Sequence, residues 1–545
     1  MINKKTFPLL IFILTISFYI YTLAPSLAWG DGTKLQGDVI AGESFILAEM
    51  PKEQFNPDPY IFSKVGVAAW DHPLYIVFGH LVVNVFPFVD SLWLVNFISA
   101  IFGAASIALV FHFCYRYTSS LLASLYASLS LAVSHTFWWH SSSPEVYTMF
   151  AFLLLVSIYF FEKFERTGKH APLGYSAFFL GLAASNHLLA YLAFPALALY
   201  YFFTGTYKRF SLSSLRKLHI PILGFLLGFL VYFIQFVRVS HSIPLDEIMG
   251  AVIGSTFLSQ LIKVTPALLG ESLLTYLFFL TVQFGPIGIF FGIWGIRQIH
   301  RMDDTASRKM IALFIVYTLF GILYKVTDQF AFFLSSYVFW AIFMGVGSDS
   351  ALHLLPQNRR ALPSAFLGTL LVATPFFYNA IPSLADRNGI NDASMGIPQI
   401  GVGVRNGLAY YVNPYKRGDF NAYNFGYETT TNLAPNSIVI AEWYTDTDEY
   451  FVLRYFTKVK AIRSDVSVLG WPTQDPFSFD PQLVVDVIDV SFPEHPIYLS
   501  SLSERFYSAS KLIEVYCILP ENNLYRLYLK IDNNLQCLEE DAVTE

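Results

Sequence analysis

The polar residues of this sequence that could carry out chemistry lie beside its hydrophobic segments. Asp31 follows the first segment in Trp29-Gly30-Asp31-Gly32, Glu145 precedes another after Pro144, and Asn186-His187 interrupt a third. Ionisable groups beside such segments are costly, so they carry a function by default. A carboxylate here could act as a general base, and the histidine and the amide could bind a polar ligand.

The remaining candidates have matching chemistry and also adjoin hydrophobic segments or the loops between them. Lys34, Arg238 and Lys325 are cations that could meet an anionic ligand or a developing negative charge. The other three are two acids and a histidine, which could bind polar groups or orient a catalytic one: Asp71, His72 and Asp328.

Each candidate also has an ordinary structural explanation. Asp31 could be an exposed loop acid, and Glu145 could be a first-turn acid that the helix dipole favours. Asn186-His187 could be a polar turn between two short helices, and His72 could cap the helix that Pro73 starts. The functional interpretation therefore depends on whether these residues converge on one face.

The hydrophobic segments identify the chain as an integral membrane protein. Hydrophobic residues make up 54% of the sequence and charged residues 14%, with a mean hydropathy of +0.49, whereas about 25% is charged in an ordinary soluble protein. Eleven segments are predicted to be transmembrane helices, although several are shorter than the roughly 20 residues that a perpendicular helix needs. They run near residues 7–23, 91–113, 119–136, 146–161, 172–185, 188–204, 220–236, 272–295, 311–324, 332–349 and 361–378.

Two of these predictions have alternatives. The first segment has the length of a signal-peptide core, but many spans follow it and Trp29 to Asp31 resemble site residues, which favours a retained helix. The stretch 172–204 could be a tight hairpin or a single bent element.

The loop charges predict the orientation of the chain in its membrane. With the N-terminus in the cytoplasm, most Lys and Arg residues of the connecting loops fall on the cytoplasmic side. An odd number of spans then places the C-terminal part outside, and the bacterial or archaeal plasma membrane is the favoured location. Asp31, His72, Glu145, His187 and Asp328 all fall near the outer membrane plane, and this convergence favours the functional interpretation.

The chain divides into two predicted domains. Residues 1–384 form a multi-pass membrane domain whose first extracytoplasmic loop is 29–72, and the apolar segment 73–88 is expected to lie along the interface. Residues 385–545 have the hydropathy of a small soluble α/β domain. Its strands are predicted at 437–443, 465–471, 496–500 and 524–530.

Several function classes find no support in the sequence. The net charge of −6 argues against nucleic acid as a partner, and a phosphate-binding P-loop and zinc-type cysteine spacing are both absent from the sequence. Cys517 and Cys537 could pair if their domain is extracytoplasmic, or could stay buried thiols. A carboxylate on an outer loop above a lipid-accessible wall instead suits a sugar carried on a lipid phosphate.

An ordered set of segments resembles a known family of polytopic membrane proteins. The set is Thr22 to Pro25 with Trp29 to Asp31, His72 to Tyr75, Val95 to Ala100, Pro144 to Thr148, Gly181 to His187, Asp328 to Tyr337, Pro435 to Trp443 and Arg463 to Val466. They are similar to the GT-C-type glycosyltransferase-like proteins called domain of unknown function 2723, which are related to transmembrane protein 260, a protein O-mannosyltransferase. Lys34 stands where the family commonly has an acid, and the usual His-Pro-Pro-Gly-Tyr-Pro is shortened after His72-Pro73, which leaves substrate identity open.

The resemblance implies a membrane glycosyltransferase with a polyprenyl-phosphate-linked sugar donor, the sugar being mannose in the related enzyme. Asp31 would then be the general base, while Glu145 and His187 would bind sugar hydroxyls or hold Asp31 in place. Lys34, His72, Arg238, Lys325 or a divalent metal would meet the leaving phosphate. The acceptor would be a hydroxyl of a protein or glycan outside the cytoplasm. A transporter or flippase for a lipid-linked substrate and a non-catalytic membrane scaffold remain the alternatives.

Overall fold

The structure is a computed structural model of the chain. It describes residues 6–42, 72–201, 218–239, 265–302, 305–324, 326, 328–395, 397, 407–443, 449–472, 481–502, 512, 514–531 and 536–537. The side chains of Arg238 and Cys537 are outside this description although their backbones are within it.

The membrane domain is helical, and each of the eleven predicted segments contains helix. In chain order the helices are α1 (Phe7–Thr22), α2 (Asp31–Ala41), α3 (Pro73–Val85), α4 (Ser91–Thr118), α5 (Leu121–Ala132), α6 (His135–Ser142), α7 (Tyr147–Thr167), α8 (His170–Asn186), α9 (Ala193–Leu199), α10 (His219–Val239), α11 (Pro266–Arg301), α12 (Thr305–Leu323), α13 (Gln329–Phe332), α14 (Leu334–His353) and α15 (Ala361–Arg387). A 3₁₀ helix, Leu188–Leu192, lies between α8 and α9. Of the described helices, five are long and apolar enough to cross a membrane, or six if α5 and α6 form one bent span.

Breaks in these helices place polar residues inside the bundle. α5 and α6 are bent by 62° relative to one another, within a segment for which the sequence predicts one span. α8 ends at Asn186 because His187 is extended, with φ −155° and ψ 136°, before the chain turns helical again. Residues 172–201 are therefore not one continuous helix.

Glycines let α8 and α10 approach closely. A side chain at Gly181 or Gly228 would collide with backbone atoms of the opposite helix. Small residues at a crossing allow such contact where no hydrophobic effect drives helices together in lipid. This packing fixes the end of α8, where Asn186 and His187 lie.

A buried ion cluster joins α4, α7 and α12 far from Asp31. Arg116 pairs with Glu162, and Lys309 pairs with Glu165 and lies 3.8 Å from a carboxylate oxygen of Glu162. The Tyr117 hydroxyl donates to Glu162 at 2.6 Å. Buried charges are tolerated only when they are paired in this way.

The C-terminal part is an α/β domain, as the sequence predicts. Its remaining helices are α16 (Asp392–Met395), α17 (Gly407–Val412), α18 (Asn421–Asn432), α19 (Glu449–Arg454) and α20 (Pro481–Ser491). The strands are β1 (Ile438–Trp443), β2 (Ser467–Pro472), β3 (Ile497–Leu499), β4 (Tyr516–Glu521), β5 (Leu524–Ile531) and β6 (Gln536–Cys537). The sheet has the order β2-β1-β3-β5-β4, with β1 parallel to β2 and β3, and with β6 paired to β5. Four of these strands match the predicted ones, whereas β4 and β6 are additional.

The C-terminal domain packs against the loop that leads into α2. Trp29 lies 5.5 Å from Phe425, ring centre to ring centre, and its backbone N–H donates to the Tyr410 hydroxyl at 3.4 Å. The backbone N–H of Lys416 donates to the Thr22 carbonyl at 3.0 Å. The two domains therefore share one hydrophobic cluster beside Asp31.

Cys517 is disulfide-bonded, which agrees with the pairing alternative of the sequence analysis. Cys114 is a free, buried thiol in α4. The side chain of Cys537 lies outside the described residues.

Candidate active site

A buried amide network fixes the chain just ahead of Asp31. Asn96 donates to the carbonyls of Ala24 and Ser26 at 2.8 and 2.9 Å. Gln36 donates to Asn96 at 2.8 Å and to Ser26 at 3.1 Å, and accepts from the Ala28 backbone at 3.1 Å. Because these bonds satisfy an otherwise irregular backbone, the loop between α1 and α2 has a defined path.

Two glycines place Asp31 at the start of α2. Gly30 has φ 63° and ψ −140°, a conformation that residues with a Cβ adopt only under strain. A Cβ on Gly32 would lie 2.8 Å from Ala28 and 3.1 Å from Pro144. The first turn of α2 thus lies directly against the loop that carries Glu145.

Asp31 has an exposed side chain within densely packed surroundings, and we call this place the cleft. Its side chain is accessible, yet the surrounding protein is dense enough that burial raises the pKa of its carboxyl above the usual range. Lys34 lowers this pKa and Asp38 raises it. Lys34 and Asp38 form an ion pair at 3.2 Å within α2, both buried.

Two histidines from different elements face each other in the same region. The His72 and His187 rings are 5.2 Å apart, and His72 Nδ1 is bonded to the Asn186 carbonyl at 2.7 Å. Burial, and secondarily the neighbouring His187, hold the pKa of His72 well below its usual range. His72 is therefore neutral at pH 7, and because its Nδ1–H donates to a carbonyl, its Nε2 can accept a hydrogen bond.

Glu145 is held by its backbone. Its N–H donates to the Ser99 hydroxyl at 2.9 Å, and that hydroxyl donates to the Glu145 carbonyl at 3.0 Å. The Asn186 side chain donates to the next carbonyl, that of Val146, at 2.9 Å. α4 and α8 thereby position the Glu145 segment from two sides.

Tyr147, at the first position of α7, marks where the candidates converge. Its side chain interacts electrostatically with the carboxylates of Asp31, Glu145 and Asp328, and its ring lies 5.2 Å from the ring of His187. Since these five groups come from α2, from the start of α7 and the residues before it, from the end of α8 and from the turn before α13, the cluster depends on the tertiary fold and not on any local motif.

Most of the sequence-predicted candidates therefore lie near one another. Asp31, Lys34, His72, Glu145, Asn186, His187 and Asp328 occupy this region, whereas Asp71, Lys325 and the side chain of Arg238 lie outside the described residues. The structure adds Asp38, as the partner of Lys34, and Tyr147. The sequence signal for Asp38 is its place among the acids of the first loop. The only signal for Tyr147 is that it directly follows Val146, in a segment that the sequence analysis had already identified.

Two of the ordinary explanations are wrong, and a third is right only in part. His72 is at the N-cap position of α3 but its side chain makes no capping bond there. Glu145 precedes α7, whose first turn contains no acid. Asp31 is exposed, as its ordinary explanation predicts, but it belongs to the first turn of a helix and not to an irregular loop. The polar-turn explanation does describe the backbone at Asn186-His187.

The chemistry of this arrangement is that of a base beside hydrogen-bonding groups. Within the part of the chain that the structure describes, no three His, Cys, Asp or Glu residues are grouped so as to hold a metal ion. Asp31 can accept a proton, and the other carboxylates, Tyr147 and the neutral histidines can bind hydroxyl groups.

Comparisons with known proteins agree with this architecture. Residues 71–211 match the family model described as the N-terminal domain of protein O-mannosyl-transferase TMEM260. ArnT from Cupriavidus metallidurans bound to undecaprenyl phosphate has a similar fold, with a TM-score of 0.58 and 13% identity over 97% of this chain and 99% of that chain. The archaeal oligosaccharyltransferase AglB from Archaeoglobus fulgidus, in complex with an inhibitory peptide and a dolichol-phosphate, is also similar, with a TM-score of 0.51 and 13% identity over 91% of this chain and 69% of that chain.

Proposed function

We propose, from the premise that this chain is a GT-C-like membrane protein, that it is a glycosyltransferase with Asp31 as its general base. The donor is a sugar linked to a polyprenyl phosphate, and the acceptor is a hydroxyl group of a protein or glycan on the extracytoplasmic face. The structures named above contain undecaprenyl phosphate, dolichol-phosphate and a peptide, which supports these substrate classes. Mannose is the sugar that the name of the matching family favours.

The observation that carries the proposal is the cleft position of Asp31. Its carboxylate is accessible and lies in the first turn of α2. Together with Glu145 and Asp328, it interacts electrostatically with Tyr147. A general base needs access to the reacting hydroxyl and neighbours that orient the substrate.

The reaction follows from this geometry. Asp31 accepts the proton of the acceptor hydroxyl while the acceptor oxygen forms a bond to the anomeric carbon of the sugar. The bond between that carbon and the phosphate oxygen breaks, and its electron pair leaves with polyprenyl phosphate. A general base of this kind contributes about 10²- to 10⁴-fold to the rate.

The leaving phosphate needs a positive partner. Among the described candidates Lys34 is the nearest cation to Asp31, since it interacts with both Asp31 and His72. Its ion pair with Asp38 would hold the ammonium group in place. Lys325, Arg238 or a divalent metal remain predictions for the same role.

Substitution of Asp31 by Asn tests the proposal. Membranes containing the full-length protein are incubated with radiolabelled polyprenyl-phosphate mannose or glucose, and label transferred to protein or glycan is measured together with released polyprenyl phosphate. We expect D31N to transfer at a rate lower by about 10²- to 10⁴-fold, because the amide cannot accept the proton.

Asp386→Asn is the matched control, since Asp386 is an exposed acid on α15 and should keep full activity. Equal transfer by D31N and the wild type would refute the role of Asp31. Transport of the lipid-linked sugar across a vesicle membrane, unaffected by D31N and without transfer, would support the transporter alternative instead.

A further inference from the structure

Tyr147 has an unusual position for a buried tyrosine. Its side chain is 7% exposed, and its hydroxyl has no hydrogen-bond partner among the described residues, although three carboxylates interact with it. The hydroxyl oxygen is not fully enclosed by protein atoms. It can therefore donate a hydrogen bond to a molecule that binds beside it.

Aromatic rings enclose the same place. The Tyr147 ring lies 5.2 Å from the rings of His187 and His140, and 5.8 Å from that of Phe332. Ring edges and faces contact the C–H groups of a bound molecule, while the carboxylates nearby accept hydrogen bonds from its hydroxyl groups. A compact ring that carries several hydroxyl groups, such as a sugar, has both kinds of surface.

We propose that Tyr147 binds the sugar of the donor lipid and helps to determine which sugar is accepted. This inference rests on the proposed function. The phenol donates a hydrogen bond to one sugar hydroxyl beside the anomeric carbon, which the acceptor oxygen attacks. A site built to hydrogen-bond a substrate hydroxyl rejects analogues that leave its own polar group unpaired.

The electrostatics favour the sugar over the phosphate at this position. Asp31, Glu145 and Asp328 all act on the Tyr147 hydroxyl, and three carboxylates would repel an anionic phosphate placed against it. Lys34 lies on α2 one turn after Asp31, where it can interact with His72. The phosphate is therefore expected nearer to Lys34, and the neutral sugar nearer to Tyr147.

The test compares three lipids by equilibrium binding to the purified full-length protein: undecaprenyl-phosphate mannose, undecaprenyl-phosphate glucose and undecaprenyl phosphate. We expect the wild type to bind at least one sugar-bearing lipid more tightly than the bare phosphate. Tyr147→Phe should reduce this preference by about 3- to 10-fold, which corresponds to one hydrogen bond between neutral groups. Its affinity for undecaprenyl phosphate should be unchanged.

Tyr276→Phe is the matched control. Tyr276 is equally buried, but its hydroxyl is paired with Ser336 at 2.7 Å, so its loss should leave the sugar preference intact.

The possible results separate the two proposals. Equal binding of all three lipids by the wild type, or an equal loss of all three in Tyr147→Phe, would overturn the role of Tyr147. Unfolding of Tyr147→Phe at a lower temperature than Tyr276→Phe would also overturn it, since an unpaired hydroxyl should contribute no stability. Failure of the wild type to bind any of the lipids would instead contradict the glycosyltransferase proposal.

Discussion

At the scale of single residues, Asp31 depends on two charged neighbours one and two turns along its own helix. Lys34 stabilises the charged form of its carboxylate, and Asp38 destabilises that form. Since Lys34 and Asp38 also pair with each other at 3.2 Å, each neighbour limits the effect of the other. The result is a base whose pKa remains raised by burial, closer to the pH at which it works.

This arrangement predicts opposite pH effects for two substitutions. The rate should fall at low pH as Asp31 becomes protonated, and the midpoint of that fall reports its pKa in the enzyme. Asp38→Asn removes an interaction that raises this pKa, so the midpoint should move to lower pH. Lys34→Gln removes an interaction that lowers it, so the midpoint should move to higher pH. The measurement is kcat/KM for sugar transfer between about pH 4 and 8.

Asp386→Asn again serves as the control and should keep the wild-type profile. Shifts of the same sign in Asp38→Asn and Lys34→Gln would contradict the assignment of Asp31 as the titrating base.

The sequence alone located much of this site at the residue scale. Asp31, Glu145 and His187 stood out because polar residues beside apolar segments are costly, and the fold brings them together. Tyr147 did not stand out, because tyrosine is common where a span meets the headgroups. Only the tertiary fold brings three acids close enough to interact electrostatically with its hydroxyl. The roles of these residues stay proposals.

At the scale of elements, the position of Asp31 depends on a single backbone conformation. Gly30 turns the chain with φ 63° and ψ −140° immediately before α2. Substitution by Ala would cost about 1–3 kcal/mol in that conformation, and the chain can relieve the strain by rotating the first turn of α2. Displacement of a catalytic group by about 1 Å can lower the rate about 10²-fold.

We therefore expect Gly30→Ala to lower kcat/KM by about 10-fold or more while the protein stays folded. Gly168→Ala is the matched control, because Gly168 also has a positive φ, 65°, but closes α7 in open space, with no atom within 4 Å of the position that a Cβ would occupy. It should lower the melting temperature to a similar extent and leave kcat/KM unchanged. Equal activity of both variants would show that Gly30 does not position Asp31.

The sequence predicted helices and strands well where their residues follow a single hydrophobic pattern. The four strands with continuous apolar residues were predicted within two residues at each end. β4 was missed because its apolar run is short and ends in Pro520, which is unfavourable inside a strand. α2 was missed because its 11 residues include Gly32 and Gly37, which lower helix propensity. Its stability comes from packing against the neighbouring helices and the C-terminal domain, and this packing is not visible in the sequence.

At the scale of the whole molecule, the charged groups separate into two ends. From Tyr147 to Glu162 helix α7 rises about 22 Å, so the cleft and the buried ion cluster of Arg116, Glu162 and Lys309 lie near opposite ends of the bundle. The C-terminal domain packs at the cleft end, through Trp29 and Tyr410. Cations such as Arg166 and Lys169 accumulate at the other end, and we predict from the positive-inside rule that this end faces the cytoplasm.

Thiol labelling of intact cells tests the proposed orientation. Val490, which is 77% exposed in α20, and Thr167, exposed at the end of α7, are each replaced by Cys and treated with a membrane-impermeant maleimide. We expect Val490→Cys to react in intact cells, and Thr167→Cys to react only after the membrane is permeabilised. The parent chain is the control for background, because Cys114 is buried and free and Cys517 is disulfide-bonded.

That disulfide independently favours an oxidising, extracytoplasmic location for the domain. The reverse labelling pattern would place the cleft in the cytoplasm and exclude an extracytoplasmic acceptor, even if Asp31 proved to be the base.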